Sequence, residues 1–356
     1  MVTSTIKIQR TEHPKQRPLD KDLGFGTVFT DHMFIANYDE GQGWHSPRVV
    51  PYGPLELDPA TAVFHYAQGI FDGLKAFRGV DDKVRLFRPD RHVQRMNESA
   101  ARLCIPPLDP ELALDSIASL VATDRDWVPR TIGTSLYIRP TIIATEPFLG
   151  VRAAKSYIYF VIMSPVGAYY PKGMAPVDIR VEEQFVRAAI GGLGGVKTGA
   201  NYAASLMASE LAKHEGFTQV LWLDGVHRKY IDEVGTMNIM VKIGDEIVTP
   251  PLGGTILPGV TRDSALTLMR RWGLRASERQ LSIDEVIDAH RAGELAEVWG
   301  TGTAAVISPV GELTYKGHRM PINGGGIGPV TQRLYDSIVA IQYGKAPGPD
   351  GWTLAV

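Results

Sequence analysis

Segments typical of strands and of helices alternate along the whole chain of 356 residues. The runs "SLYIRPTIIAT" and "SYIYFVIMSPV" are rich in β-branched and aromatic residues, which favour strands. "KVRLFR" alternates like a strand, and Asp90 is then predicted to cap a helix that ends before Pro106 and Pro107. A chain of this length usually forms more than one domain. The sequence therefore predicts an α+β fold in two domains.

The predicted domain boundary lies in "GAYYPKGMAPVD", an irregular stretch with prolines and glycines. Such a composition is typical of a connection between domains. We place the connection at residues 171–176, between a small α/β domain of residues 1–170 and a large α/β domain of residues 177–356. The large domain contains a helix predicted from Asn201 to Glu215 and closed by Gly216, and a late strand, "AEVWGTGTAAVISPV".

Charge and composition exclude several classes of partner. Lys and Arg (37) nearly balance Asp and Glu (39), which gives no support for a nucleic acid or an anionic membrane. No apolar run approaches the roughly 18 residues of a membrane span. Cys104 is the one cysteine and the nine histidines form no cluster, so we expect neither a disulfide nor a metal site. The polar N-terminal segment is not a signal peptide, and the expected location is the cytoplasm.

One lysine, Lys197, lies in the glycine-rich stretch "IGGLGGVKTGANYAAS". A phosphate-binding loop requires glycine immediately before the lysine, where this chain has Val196. The segments on either side of this stretch are apolar, which favours packing of the stretch against a core. Burial lowers the proton affinity of a lysine, and an unprotonated lysine amine is a nucleophile. Glycines also let a flat cofactor approach the backbone. At this point a Schiff-base lysine and a solvated lysine in a flexible loop both remain open.

One further motif does not fit the function that it suggests. "GTGTA", at Gly300, Gly302 and Ala305, has the spacing of a dinucleotide-binding fingerprint. However, the sequence after it is β-like, and no acidic residue follows about 20 positions on. No Gly-x-Ser-x-Gly elbow occurs, so a serine hydrolase is not indicated.

Other residues could bind the parts of a phosphorylated cofactor. "ILPGVTR" turns into a helix whose first amides, of Val260 and Thr261, are candidate phosphate ligands, although Thr261 could equally cap the helix. Glu233 lies at a strand end, where a carboxylate could hold the proton of a ring nitrogen. The helix after "KVRLFR" offers three arginines, and the pattern does not choose among Arg91, Arg95 and Arg102.

Six motifs together resemble a known family. In order along the chain these motifs are "FDGLKAFRG", "LYIRP", "GGVKTGANYAAS", "EVGTMNI", "ILPGVTRDS" and "GTGTAAV". They resemble the branched-chain amino-acid aminotransferases of the pyridoxal-phosphate fold type IV class, from "GFGTVFTDHM" to "IQYG". The resemblance implies a sheet with packed helices in each domain, the cofactor at the domain interface, and a homodimer with shared active sites.

The resemblance assigns roles toward pyridoxal 5′-phosphate. Lys197 resembles the lysine that forms the Schiff base, Arg95 the arginine on the phosphate, and Glu233 the carboxylate on the pyridine nitrogen. The other positions matched to the cofactor are Tyr202 at the ring hydroxyl, Arg187 and Thr236 nearby, the amides of Val260 and Thr261 on the phosphate, and the hydroxyl of Thr303 beside them.

The resemblance also implies a substrate site. The matched positions are Phe25, Tyr66, Phe71 and Tyr169 for the branched side chain, Tyr137 and the Ala304 amide for the α-carboxylate, Arg139 for the distal carboxylate of glutamate, and Val151 in a loop contributed across the dimer. Two positions depart from the family. Asp72 stands where the family often has glutamate, and Ala305 and Ser308 stand where animal members carry a redox pair of cysteines.

The implied reaction is reversible transfer of an amino group between L-leucine, L-isoleucine or L-valine and 2-oxoglutarate, in a ping-pong cycle. Two alternatives remain. A D-amino-acid aminotransferase or lyase of the same fold type is distinguished by its substrates. A non-enzymatic phosphate or nucleotide binder that uses the Lys197 stretch is distinguished by the absence of a visible chromophore.

Overall fold

The computed structural model describes residues 5–167 and 174–356. The strands are β1 Lys7–Ile8, β2 His32–Asp39, β3 Gly43–Pro51, β4 Gly69–Phe71, β5 Leu74–Arg78, β6 Val84–Phe87, β7 Ser135–Ala144, β8 Ser156–Val166, β9 Val177–Val181, β10 Gln219–Leu223, β11 Ile231–Val234, β12 Met237–Ile243, β13 Glu246–Thr249, β14 Arg275–Glu278, β15 Leu295–Gly302, β16 Val306–Tyr315, β17 His318–Pro321 and β18 Thr353–Ala355. The α-helices are α1 Ala62–Tyr66, α2 Pro89–Arg102, α3 Pro110–Thr123, α4 Gly199–His214, α5 Val260–Arg271, α6 Ile283–Arg291 and α7 Pro329–Gln342.

The chain divides into two compact units. The first comprises Met1–Tyr169, Lys197–Gly199 and Ala340–Val356, and the second comprises Tyr170–Val196 and Ala200–Val339. The C-terminal segment and the short segment at Lys197 therefore belong to the first unit, a division that sequence order alone does not show. Residues 171–173 of the predicted connection lie outside the described ranges, and the predicted domain bounds stay a prediction.

The first unit contains a nine-stranded sheet in the order β1-β3-β2-β8-β7-β5-β6-β18, with β4 also paired to β7. Along β7, fully buried residues alternate with partly buried ones, as expected for a strand with two different faces. Leu136 and Ile138 belong to the apolar core that includes residues of α2 and α3. Tyr137 and Arg139 therefore lie on the opposite face of β7.

Helix α2 begins two residues earlier than predicted. Its first residue is Pro89, and Arg88 is the N-cap with a left-handed backbone and no capping side chain. The predicted cap, Asp90, lies inside the first turn, where its charge still suits the helix dipole. Proline is well suited to the first helical position because its missing N–H has no partner there.

The second unit contains a sheet in the order β11-β10-β9-β16-β15-β12-β13-β14, with β17 paired to β16. The additional pairing of β11 with β12 closes six of these strands into a ring. The single late strand predicted from "AEVWGTGTAAVISPV" is wrong: the segment forms two antiparallel strands, β15 and β16, joined by a turn at residues 303–305. Helix α4 begins at Gly199, earlier than predicted, and Gly216 follows it with a left-handed φ of 89°.

Within the described ranges, no helix combines the length and the apolar character needed to cross a membrane.

Candidate active site

Lys197 is fixed to the first unit through its main chain. Its amide donates to the Ser99 hydroxyl of α2 (3.0 Å), and its carbonyl accepts from the Phe71 amide at the end of β4 (3.1 Å). The next residue, Thr198, donates its hydroxyl to the Gly69 carbonyl (2.8 Å). The lysine is therefore held in place by hydrogen bonds on both sides, and the alternative of a solvated lysine in a flexible loop is wrong.

The amine of Lys197 is easier to deprotonate than that of an ordinary lysine. Although the residue as a whole keeps some accessible surface, its amine is surrounded by protein atoms. Burial, and next the nearby charge of Arg95, lower its pKa from 10.5 to about 8, against the opposing effects of Asp72 and Tyr137. The predicted loss of proton affinity through burial is confirmed.

Arg95 is the arginine of α2 that the fold buries, whereas Arg91 and Arg102 are exposed. Its Nε and Nη2 atoms donate to the two carboxylate oxygens of Asp72, at 3.0 and 2.8 Å. His92, one turn earlier on α2, shares one of these oxygens (2.7 Å). The predicted phosphate arginine therefore has a buried carboxylate as its partner.

Four of the predicted substrate residues lie close together in the first unit. Arg139 donates from Nη2 to the Tyr137 hydroxyl (3.0 Å), and its guanidinium lies 4.7 Å from the centre of the Phe71 ring. Phe25 packs edge-on against Tyr137 with ring centres 5.2 Å apart. Gly73 is needed for this arrangement, because a Cβ atom there would overlap the Tyr137 hydroxyl.

The other predicted substrate residues of the first unit are not part of this group of rings. Tyr66, the last residue of α1, is 39% exposed, and Val151, in the loop after β7, is 90% exposed. Tyr169 lies outside the described residues.

Lys75 is a second buried lysine in the first unit, and sequence reasoning did not single it out. It lies on β5 directly opposite Tyr137 of β7, so both side chains are on the same face of the sheet. Burial lowers its pKa from 10.5 to about 7. The position could have been suspected from the motif "FDGLKAFRG", where a lysine interrupts an apolar run.

Glu233 is one of the buried carboxylates of the second unit. One of its oxygens accepts from the Leu257 amide (2.7 Å), and the other accepts from Nε of Arg187 (2.9 Å). The Asn238 amide lies 3.5 Å from the first oxygen and donates to the Leu257 carbonyl (2.8 Å). The carboxylate is therefore oriented from the strand pair β11–β12 and from the turn before α5.

Arg187 also fastens the glycine-rich stretch within the second unit. Its guanidinium donates to the carbonyls of Thr255 (2.5 Å) and Gly194 (3.3 Å for Nη1, 3.2 Å for Nη2). A Cβ atom at Gly194 would overlap the Thr255 carbonyl. The glycine at 194 therefore permits close packing of two backbone segments, which is a different reason from the predicted approach of a cofactor.

A cavity of the second unit lies beside Glu233. It contains the predicted ring-binding residues of that unit. Its lining consists of Arg187, Asn201, Tyr202, Ser205, Glu233, Gly235, Thr236 and Leu257. Asn201 donates to the carbonyls of Leu193 and Val196, so it holds the residues that precede Lys197 in the sequence.

Val260 and Thr261 form the first turn of α5, and both are buried. The N-cap is Gly259, which has no side chain to cap the helix, so Thr261 does not have the capping role left open by the sequence. A helix start of this kind suits an anion. A Cβ atom at Gly259 would overlap Asn238, which explains glycine there. Thr303 and Ala304 lie in the turn between β15 and β16.

Sequence reasoning did not find several residues that hold the predicted site residues in place. Among them are His92, Gly73, Ser99, Asn201 and Asn238. Gly73 and Asn238 lie in the motifs "FDGLKAFRG" and "EVGTMNI", which was the available signal, whereas His92 is distinguished only by its helical spacing from Arg95.

Comparison with known proteins gives a family and full-length relatives. The family described as "Amino-transferase class IV" matches residues 69–313. The chain is 53% identical over 356 residues to branched-chain-amino-acid aminotransferase 2 of Bacillus subtilis (strain 168), covering 100% of this chain and 98% of the relative. It is 52% identical over 352 residues to branched-chain-amino-acid transaminase 1 of the same organism, covering 99% of each.

Solved structures show the same fold. A branched-chain amino acid aminotransferase of Escherichia coli has a TM-score of 0.77 at 24% identity, over 91% of this chain and 98% of that one. The branched-chain amino acid aminotransferase of T.th., solved with pyridoxamine 5′-phosphate, has a TM-score of 0.74 at 25% identity, over 90% and 97%.

These similarities place the chain in the class IV aminotransferases. Within that class it belongs to the branched-chain-amino-acid aminotransferases, as the relatives with 53% and 52% identity show over its whole length. The predicted family, fold and enzyme class are confirmed. The roles of individual residues stay predictions.

Proposed function

We propose that the chain catalyses reversible transfer of an amino group between L-leucine, L-isoleucine or L-valine and 2-oxoglutarate, with pyridoxal 5′-phosphate as cofactor. Full-length identity of 53% to a branched-chain aminotransferase supports the reaction. The structural observation that carries the proposal is Lys197 itself, which hydrogen bonds to Ser99 and Phe71 hold in place and whose buried amine has a pKa lowered to about 8. About a tenth of such an amine is unprotonated at pH 7, compared with roughly three in ten thousand for an ordinary lysine, and the unprotonated form can attack an aldehyde.

Each unit, taken by itself, offers polar groups of the kinds that this cofactor requires. An aldehyde requires an amine, a phosphate suits a guanidinium or a helix N-terminus, and a pyridinium nitrogen suits a carboxylate. The chain offers Lys197, Arg95, the start of α5 at Val260, and Glu233 for these parts. Tyr202 lines the cavity beside Glu233, in keeping with its predicted place at the ring hydroxyl.

Bound pyridoxal phosphate supplies the electron sink for a carbanion at the substrate α-carbon. We propose that Lys197 takes up and returns the proton that moves at this carbon, because a pKa of about 8 makes both of its protonation states accessible. Glu233 holds the proton of the ring nitrogen, and Arg187 holds the Glu233 carboxylate in place.

We propose that the ring group of the first unit binds the substrate. The aromatic side chains of Phe25, Phe71 and Tyr137 suit a branched aliphatic chain, and Arg139 suits the distal carboxylate of glutamate. The assignments of Tyr66, Val151, Tyr169 and the Ala304 amide rest on the resemblance alone.

A homodimer and a cytoplasmic location also remain proposals. The resemblance implies the dimer, and it is supported by three exposed apolar side chains close together in the loop of Val151, namely Phe148, Leu149 and Val151. Light scattering of the purified protein measures the mass. A monomer that is fully active contradicts shared active sites.

The variant Lys197→Ala tests the reaction. We expect loss of transfer from L-leucine to 2-oxoglutarate and loss of covalent trapping by borohydride, because the variant lacks the amine that is proposed to bond the aldehyde. Lys83→Ala removes an exposed lysine of the same unit and should retain both. Retention of both properties in Lys197→Ala would refute the assignment. Transfer from D-alanine but not L-leucine supports the D-amino-acid alternative, and a colourless protein supports the non-enzymatic binder.

A further inference from the structure

Asp72 is a fully buried carboxylate between β4 and β5. Its two oxygens accept four hydrogen bonds. Nε and Nη2 of Arg95 donate at 3.0 and 2.8 Å, Nδ1 of His92 at 2.7 Å, and the amide of Gly73 at 2.7 Å. Buried carboxylates are costly unless they are paired and hydrogen-bonded in this way. All four donors belong to the first unit.

The charge state of this group follows from its contacts. Burial alone would raise the pKa of Asp72, but Arg95 and His92 together hold it well below its ordinary value. Burial lowers the pKa of His92, with the Asp72 carboxylate opposing. His92 is therefore neutral, and its Nδ1 carries the proton because it faces an ionised carboxylate. The group consists of one cation, one anion and one neutral imidazole.

The Asp72 carboxylate spans one edge of the Arg95 guanidinium, the edge formed by Nε and Nη2. A guanidinium is planar and its donors have fixed directions, so two hydrogen bonds along one edge fix the plane of the whole group. They also fix the direction of the Nη1 end. His92 in turn fixes the carboxylate, which is joined to the backbone by a single methylene and by the Gly73 amide.

We propose that Asp72 is the positioning residue for Arg95, and that it thereby sets how strongly the protein prefers pyridoxal 5′-phosphate to pyridoxal. This inference rests on the proposed function, in which Arg95 binds the cofactor phosphate. Asp72 itself acts through Arg95 and does not touch the ligand.

Two effects of the Asp72 charge oppose each other. The anion offsets part of the positive charge of Arg95, which weakens the attraction of a phosphate. It also holds the guanidinium in one orientation, which a bidentate hydrogen bond to phosphate requires. Hydrogen bonds weaken steeply with misalignment, so alignment outweighs the charge. Removal of the carboxylate should therefore weaken phosphate binding, although it makes the site more positive.

The experiment compares equilibrium dissociation constants of pyridoxal phosphate and pyridoxal for the cofactor-free full-length chain. In Asp72→Asn, the ratio of the pyridoxal constant to the pyridoxal phosphate constant should fall about tenfold, the effect of one lost charge-assisted hydrogen bond. Asp72→Glu keeps the charge and has the residue common in the family, so it should keep the ratio within about twofold.

Asp124→Asn is the matched control. Asp124 is also a buried aspartate of the first unit, and it accepts from His32 at 2.6 Å, so its loss tests a general effect of breaking a buried Asp–His pair. The ratio should not change in this variant. His92→Gln removes one of the hydrogen bonds that hold Asp72 and should lower the ratio about threefold. If Asp72→Asn does not fold, the ratio measured for His92→Gln tests the proposal instead.

A second measurement separates positioning from a merely structural role. Asp72 raises the pKa of Lys197. In the cofactor-free chain, the pH midpoint for the reaction of the Lys197 amine with pyridoxal should therefore be lower in Asp72→Asn than in wild type, and unchanged in Asp124→Asn. A ratio that is unchanged or higher in Asp72→Asn overturns the inference alone. If that variant does not fold, an unchanged ratio in His92→Gln overturns it. Wild-type protein that binds neither compound overturns the proposed function as well.

Discussion

Each of the two units pairs a buried carboxylate with an arginine, but the predicted roles are reversed. In the first unit Arg95 is predicted to bind the cofactor, and Asp72 supports it through Nε and Nη2. In the second unit Glu233 is predicted to bind the cofactor, and Arg187 supports it through Nε at 2.9 Å. The same kind of ion pair therefore orients the Arg95 cation in the first unit and the Glu233 anion in the second.

The supporting residues differ in what else they hold. Asp72 is bound to Arg95 and His92 of helix α2, and to the amide of the next residue. Arg187 also holds the carbonyls of Gly194 and Thr255, in backbone segments far apart in sequence. Loss of Asp72 should therefore change the orientation of Arg95 and the pKa of the nearby Lys197. Loss of Arg187 should affect Glu233 and should also loosen the glycine-rich stretch.

The largest effect should come from the residue that is predicted to touch the cofactor ring. In Glu233→Gln we expect kcat for L-leucine to fall about a hundredfold or more, because an uncharged amide does not stabilise a protonated ring nitrogen. The control is Glu182→Gln, which removes another buried glutamate of the second unit, paired with Arg180 at 2.6 Å. A Glu233→Gln variant within about threefold of wild type contradicts the predicted role.

The supporting arginine should give a smaller but wider effect. Arg187→Lys keeps a positive charge but does not reach Glu233, Gly194 and Thr255 together, because an ammonium lacks the planar fork of donors. We expect kcat to fall about tenfold. Amide hydrogen exchange should also become faster at residues 192–196.

Two variants sharpen this comparison. Arg180→Lys alters the Glu182 pair of the same unit and should leave exchange at residues 192–196 as in wild type. Asp72→Asn should also leave it unchanged, because its contacts lie in the first unit. Faster exchange at these residues in both Arg187→Lys and Asp72→Asn would show that the two supporting residues do not differ in the way described.

The residues that are proposed to bind ligands were easier to single out in the sequence than the residues that support them. Lys197 is marked by its glycines, and the resemblance chose Arg95 among three arginines. The Asp72–Arg95 pair joins residues 23 positions apart on a strand end and a helix, and no local pattern shows that they meet. The contact of Arg187 with Thr255 spans 68 positions. Such pairings follow from tertiary packing, which short-range periodicity does not contain.

The fold, like the candidate site, was predictable only in part. Strands β7 and β8 were found because their composition is strongly β-like, and their bounds agree closely with the prediction. The hairpin of β15 and β16 was read as one strand because apolar residues flank the turn on both sides. The assignment of Lys197–Gly199 to the first unit was not predictable, because the segment is surrounded in sequence by residues of the second.

The last prediction concerns Lys75 and the stability of the fold. Burial sets the pKa of Lys75, whereas the charge of Arg95 is paired with the Asp72 carboxylate. The folded-state pKa of Lys75 is about 7, below its ordinary 10.5, so between these values the unfolded chain binds more protons than the folded one. Stability from this residue is therefore fully present above pH 10.5 and lost as the pH falls through 7. Lys75→Met removes this cost, and the free energy of unfolding should rise by about 4 kcal/mol near neutral pH, since each pKa unit corresponds to about 1.4 kcal/mol.

Chemical unfolding followed by circular dichroism at several pH values measures this gain. It should be largest at pH 7 and below, and it should shrink toward zero as the pH approaches 10.5, because Lys75 is then neutral in both states. Lys83→Met, at an exposed lysine of the same unit, should give a difference that does not vary with pH. A gain for Lys75→Met that is the same at every pH would mean that Lys75 stays charged in the fold. The first unit would then stabilise a second buried cation, as it does Arg95.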